Sequence, residues 1–181
     1  MAGVEKKIRS ENLKAVARYI FKQAGSLPRE CDLLADHLIE ANLKGHDSHG
    51  IGMIPAYIGA LKVDELKLNA SPRIVSEFGS TLVLDGGLGL GQSIAHDAMA
   101  MGIERAKVQG STIVALHKSH HIGRIGHWAE QCAAAGLVSI HFVNVISEPV
   151  VAPFGGKEAR VVTNPISIGI PRDVMPQGLL I

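Results

Sequence analysis

Thr81-Leu82-Val83-Leu84-Asp85-Gly86-Gly87-Leu88-Gly89-Leu90-Gly91 decides which kind of α/β protein this chain can form. Thr81 to Asp85 reads as a strand and Gly86 to Gly91 breaks it. A helix then follows from Gln92 to Gln109, with Ile94, Ala98, Met101 and Ala106 as its apolar face. A glycine loop between a strand and a helix is where a dinucleotide fingerprint would lie, and the pattern fails. Counted from Gly87, the third glycine would fall on Gln92; counted from Gly86, the second falls on Leu88. No acidic residue ends a following strand where it would hold a ribose hydroxyl. The loop reads either as a structural turn or as a phosphate contact.

On the N-terminal side, Ile74 to Phe78 and Thr81 to Asp85, split by Gly79-Ser80, predict a hairpin. On the C-terminal side come a buried-type strand from Thr112 to His117, a helix from Ile125 to Ala135 closed by Gly136, an apolar strand from Leu137 to Val145, and a strand from Val161 to Pro171. No element is predicted for residues 172–181. Upstream, Leu13, Val16, Ala17, Ile20 and Phe21 repeat at helical spacing in a helix from Ser10, its expected cap, to Ala24. Pro28 opens a second helix to Asn42 with Leu33, Leu34, Leu38 and Ile39 inward, and a short third helix runs from about Ile54 to Leu61. The class is α/β with a mixed α+β character: a helical N-terminal region, 1–72, followed by a sheet-containing region, 73–181.

The chain has 181 residues, 46% hydrophobic and 19% charged, with a net charge of +1, enough to bury a sizeable core. Acids and bases are interspersed, so neither a nucleic acid nor a membrane surface is an expected partner. Leu137 to Ile146 is interrupted by His141 and Asn144 and is too short to cross a bilayer, and the charged start, Met1 to Arg9, lacks the pattern of a secretory leader. A soluble, cytoplasmic protein is expected. Cys31 and Cys132 lack metal-ligand or redox spacing and read as reduced packing residues.

The nine histidines carry more information, because five fall in two short stretches: His46 with His49, and His117 with His120 and His121. Each stretch is polar and glycine-flanked. Such histidines suit proton transfer near neutral pH. Metal ligation is the alternative, although HExxH is absent and catalytic zinc sites usually add a carboxylate or cysteine; no metal is expected. The second stretch, Lys118 to Trp128, follows a strand and begins a helix, where α/β proteins place ligands. There Gly123 would allow close backbone approach, and Arg124 reads either as a planar donor for a carboxylate or phosphate or as a surface charge.

Four motifs, Gly45-His46-Asp47-Ser48-His49-Gly50, Ser119-His120-His121-Ile122-Gly123, Val151-Ala152-Pro153-Phe154-Gly155-Gly156 and Thr163-Asn164-Pro165, occur in the order and spacing of the type-2 malate/L-lactate dehydrogenase family, which the chain resembles from about Leu13 to Arg172. It is most similar to the family's hydroxycarboxylate dehydrogenase branch. The resemblance implies a helical region packed on a non-Rossmann, mixed-sheet nucleotide-binding domain. It implies a homodimeric, cytoplasmic enzyme that interconverts 2-hydroxy and 2-oxo acids with NAD or NADP, NAD being favoured. Residue by residue, it implies His121 as the acid–base group and His49 as a catalytic neighbour that also contacts the cofactor. Ser48 would contact substrate, and Gly123, Arg124, Ile125, Ser147, Thr163, Asn164 and Pro165 would contact the cofactor; Arg124 is expected to contact substrate as well, on the ground of a departure from the family.

Three departures matter. Met53 stands where many relatives carry an arginine that clamps the substrate carboxylate, so Arg124 is the expected replacement. Val162 stands where the family has glycine before Thr-Asn-Pro, which would strain a turn that needs positive φ. Relatives continue well beyond Ile181, so an incomplete C-terminus is expected, leaving open sheet edges. An inactive remnant that serves only as a dimerisation or interaction module is the rival reading.

Overall fold

The computed structural model describes residues 7–172 and 175–180. Residues 1–6 of the charged start, and residues 173, 174 and 181 of the stretch left without an element, lie outside them. The contacts divide the chain into two units, 1–124 and 125–181.

In the first unit, α1 (Ser10–Ala24), α2 (Pro28–Leu43) and α3 (Ile54–Lys62) carry the helical core. Ser10 is the first helical residue and not the cap: Arg9 precedes it in extended conformation, and no side chain caps the helix. Gly25 ends α1 at φ 106°, in the left-handed region that glycine enters without steric cost. Ala17, Phe21, Leu34, Ala35, Leu38, Ile54, Tyr57, Leu66 and Leu90 are buried together, with the Phe21 and Tyr57 rings edge to face at 6.4 Å. Leu33, expected inward, is only half-buried, while His37 is buried on the same helix.

The sheet of this unit has the order β1-β2-β3, from β1 (Arg73–Phe78), β2 (Thr81–Gly89) and β3 (Ile113–Ser119). β1 pairs with β2 antiparallel and β2 with β3 parallel, so the sheet is mixed. The glycine run does not simply break β2. The strand continues through Gly89, which pairs with Ser119, because β3 supplies partners further along. Gly87 N–H donates to the Asp85 carboxylate at 2.8 Å, and Lys118 Nζ reaches the same carboxylate at 3.3 Å; together they hold that carboxyl below its ordinary range. α4 (Gly91–Gln109) covers β2 and β3, burying Leu82 and Leu84 against Ala98. Gly102 allows its close approach: a Cβ there would lie 2.8 Å from Val114 Cγ2.

The second unit holds α5 (Gly126–Ala134) and an antiparallel sheet of order β4-β5-β6, from β4 (Ser139–Phe142), β5 (Ile166–Arg172) and β6 (Met175–Leu180). Trp128, Ala129, Cys132 and Ala133 are buried on α5, and a Cβ at Gly169 of β5 would lie 2.6 Å from the Ala129 carbonyl oxygen. β4 is shorter than the apolar run predicts, since only Ser139 to Phe142 find partners on β5. β6 occupies a stretch in which the sequence predicts nothing. Val162 is not among the residues with positive φ, so the expected strain does not arise. Cys31 and Cys132 are buried and free. No helix among the described residues is long and apolar enough to cross a membrane.

Candidate active site

His49 and His121 come together in the first unit from opposite ends of it. His49 ends a 3₁₀ turn, Asp47–His49, between α2 and α3; His121 follows β3. Their ring centroids are 5.3 Å apart and the planes are inclined by 31°.

Each ring is held by groups whose identity follows from the local backbone. Asn42, in the last turn of α2, accepts the Ile51 N–H on Oδ1 at 2.8 Å and donates from Nδ2 to Asp47, clasping the turn that presents His49. Gly50 is buried against that side chain, and a Cβ there would lie 2.2 Å from Asn42 Oδ1. Ser48 Oγ lies 2.9 Å from His49 Nδ1, at the exposed end of the turn. The chain at His121 is fixed from two sides. Gly91, at the start of α4, packs on it so closely that a Cβ would lie 2.0 Å from the His121 carbonyl oxygen. Gly123, at φ 74°, faces buried His37, whose Nε2 accepts the Arg124 N–H at 2.8 Å. These glycines are required by close packing inside the protein and do not line an open phosphate cradle.

His121 is joined to a buried relay. Tyr57 Oη of α3 lies 2.8 Å from His121 Nδ1, and Gln92 Nε2 of α4 lies 2.8 Å from the same Oη. An amide nitrogen can only donate, so in this orientation the Tyr57 oxygen accepts from Gln92, and its own hydrogen is left with His121 Nδ1 as the acceptor within reach. The single proton of neutral His121 then resides on Nε2, which makes no hydrogen bond among the described residues. Burial pushes the Tyr57 hydroxyl up to about 12, so it keeps its proton.

The electrostatics oppose positive charge at both rings. Burial, followed by the neighbouring His49 and His120, lowers His121 to about 4. Burial, then His46 and Arg124, lowers His49. His120 is also lowered by burial and stands edge-on to Tyr57 at 5.7 Å. Burial thus favours the neutral form of all three rings. Arg124, weighed above as a surface charge or a donor, is neither exposed nor distant: it is 4% exposed, with its guanidinium 3.9 Å from Glu40.

His49, Ser48, His121, Gly123 and Arg124 therefore share one unit. The other expected residues belong to the second. Ile125 begins it, Ser147 is exposed, Asn164 Oδ1 accepts the Val145 N–H at 3.0 Å, and the Pro165 carbonyl accepts the Val143 N–H at 3.2 Å beside exposed Thr163. Sequence reasoning missed Asn42, His37, Tyr57 and Gln92. The only trace of them was a polar residue on an otherwise apolar helical face.

A family model described as malate/L-lactate dehydrogenase matches residues 8–180. Hydroxycarboxylate dehydrogenase B of Escherichia coli O157:H7 is 54% identical over 163 residues, 90% of this chain and 45% of that protein. L-lactate dehydrogenase of Cupriavidus necator is 40% identical over 95% of this chain and 49% of its own length. The solved structure of sulfolactate dehydrogenase from Methanocaldococcus jannaschii superposes with a TM-score of 0.83 at 38% identity, covering 90% of this chain and 47% of that one. The chain spans about half the length of the curated relatives it matches.

Proposed function

Because the chain belongs to the malate/L-lactate dehydrogenase family, we propose that it carries the proton-transfer half of a nicotinamide-dependent oxidoreductase that interconverts 2-hydroxy acids and 2-oxo acids. The observation that carries this reading is His121: a desolvated imidazole oriented by Tyr57, facing a second neutral ring, with its Nε2 uncommitted. Reduction of a 2-oxo acid needs one proton for the developing alkoxide, and oxidation of the hydroxy acid must deposit the same proton. One imidazole nitrogen held within reach of the substrate oxygen suffices.

The donor set fits such a cofactor at its reactive end. The two rings and the backbone around Gly123 form a partly dehydrated surface of neutral groups, which would favour the neutral reduced nicotinamide over its cationic oxidised form. The cofactor, when bound, supplies or takes the hydride. The protein's part is to hold His121 in register, keep water away through the burial of Tyr57 and His37, and place positive charge nearby through Arg124. A neutral His121 serves the oxidative direction when its Nε2 presents the lone pair that takes up the substrate proton. A bound substrate carboxylate would raise its proton affinity for the reverse.

Ser48 and Arg124 are the substrate contacts in this reading, Arg124 exchanging part of its interaction with Glu40 for the substrate carboxylate. His49, Gly123, Arg124, Ile125, Ser147, Thr163, Asn164 and Pro165 are the cofactor contacts. NAD is favoured over NADP, in a homodimeric, cytoplasmic enzyme; family membership and the order of the motifs support these assignments. The test combines fluorescence titration of NADH and NADPH with oxidation of either by a panel of 2-oxo acids. Cofactor binding is expected, with turnover about 10²–10⁴-fold lower in His121→Ala at unchanged cofactor affinity. Equal turnover in that variant, or no binding of either cofactor, would refute the reading.

A further inference from the structure

Gln92 is 1% exposed and reaches His121 only through one hydroxyl group. Its Nε2 is bonded to Tyr57, but its Oε1 is buried with no hydrogen-bond partner among the described residues. Leaving a buried amide oxygen unpaired is costly, so the orphan needs a physical account. Because nothing holds its far end, only Tyr57 orients the carboxamide, and a half-turn exchanges its donor for its acceptor at Tyr57 without moving the helix, leaving the nitrogen at the unpartnered end instead of the oxygen.

The two orientations have different consequences at His121. With the Gln92 nitrogen toward Tyr57, the hydroxyl donates to His121 Nδ1, and the imidazole presents Nε2–H. With the Gln92 oxygen toward Tyr57, the hydroxyl donates to Gln92, the Tyr57 oxygen accepts from His121 Nδ1–H, and neutral His121 presents a lone pair at Nε2. The second direction is also the one an imidazolium requires, since its Nδ1–H needs an acceptor. We propose that Gln92 is a positioning residue that acts through Tyr57 to set whether His121 presents a proton or a lone pair at Nε2, with a half-turn of its amide reversing the relay.

The consequence for catalysis rests on the dehydrogenase reading; the coupling itself does not. In the oxidative direction the substrate C–H bond breaks and its hydrogen leaves with both electrons for the nicotinamide. The hydroxyl proton goes to the His121 Nε2 lone pair, and the carbonyl forms. Only the reversed relay provides that lone pair, and it keeps His121 bonded to Tyr57 before and after the transfer. The other titratable groups bearing on His121 are His49 and His120, with His46 and Arg124 acting on His49 and Glu65 on His120.

The test is ¹⁵N NMR of the histidine rings and the Gln92 side-chain amide in the whole chain, without cofactor or substrate. In the wild type the Nε2–H tautomer is expected at neutral pH, with the Gln92 amide signals moving at the same midpoint as the His121 ring. Where a glutamate at position 92 is ionised it can only accept, so above its own titration, followed in the same spectra, Gln92→Glu is expected to shift the His121 proton to Nδ1 and to raise the midpoint. Gln92→Met removes the acceptor, so it is expected to retain Nε2–H and lower the midpoint by about one pKa unit, the equivalent of one stranded hydroxyl donor. A loss of packing alone would not exchange tautomers. An unchanged tautomer in Gln92→Glu, an unmoved midpoint in Gln92→Met, or a Gln92 amide that stays silent while His121 titrates would each overturn the proposal. If the glutamate variant does not fold, the wild-type and methionine spectra decide. Failure of the dehydrogenase reading would appear separately, as absent cofactor binding with these spectra unaffected.

Discussion

Replacing Gly123 with alanine tests how the loop carrying His121 is held. Two costs are involved, and the fold contains a control that separates them. Gly123 and Gly45 have nearly the same backbone conformation, φ 74° and 76°, but a Cβ at Gly45 meets nothing within 4 Å, whereas one at Gly123 would lie 2.1 Å from His37 Nε2. Gly45→Ala therefore carries only the left-handed penalty, about 1–2 kcal/mol. Gly123→Ala carries that penalty and must also expel the His37 ring. This breaks its bond to the Arg124 N–H and strands a buried donor, adding about 1–3 kcal/mol. The difference between the variants is expected to be about 2 kcal/mol. At a urea slope of roughly 1–3 kcal/mol/M, that separates their midpoints by about 1 M. Equal losses for the two alanines in urea titrations followed by circular dichroism would refute the claim that His37 and Gly123 lock the loop.

Two further perturbations probe the same architecture. His121 titrates near 6.5 when unfolded and about 4 when folded, so protons favour the unfolded chain. Stability is expected to be intact above pH 6.5 and to fall as the pH drops toward 4, by about 3 kcal/mol from this group; the lowered His49 and His120 act in the same direction. Thermal melts of wild type and His121→Asn across this range should diverge toward acid, and parallel curves would count against burial as the cause. Glu30, buried on α2, accepts from Ser26 Oγ, Ser93 Oγ and the Asn69 N–H, tying the start of α4 to the helical layer. Glu30→Ala is expected to lower unfolding stability by about 3 kcal/mol by stranding these donors, whereas a loss below about 1 kcal/mol would show that water replaces the carboxylate freely.

The sequence by itself determined the features that repeat locally. The 3.6-residue period of Leu13, Ala17 and Phe21 and the Pro28 start placed α1 and α2. The Gly79-Ser80 break placed the β1–β2 hairpin, and the failed glycine fingerprint removed the Rossmann class. It also drew attention to the two histidine-bearing, glycine-flanked stretches, and the family resemblance then pointed within them to His49 and His121. Only the tertiary structure decided where strands stop and which side chains meet. β2 runs on to Gly89 because Ser119 of β3 pairs with it, and β6 forms because β5 offers a partner; an edge depends on a neighbour far away in the chain. Tyr57, Gln92 and His121 come from α3, α4 and the loop after β3, and no local period links them. Tyr57 and Gln92 each read alone as ordinary helical residues, and the relay to His121 exists only because packing Gly91 against the His121 backbone brings three separate segments within hydrogen-bond distance.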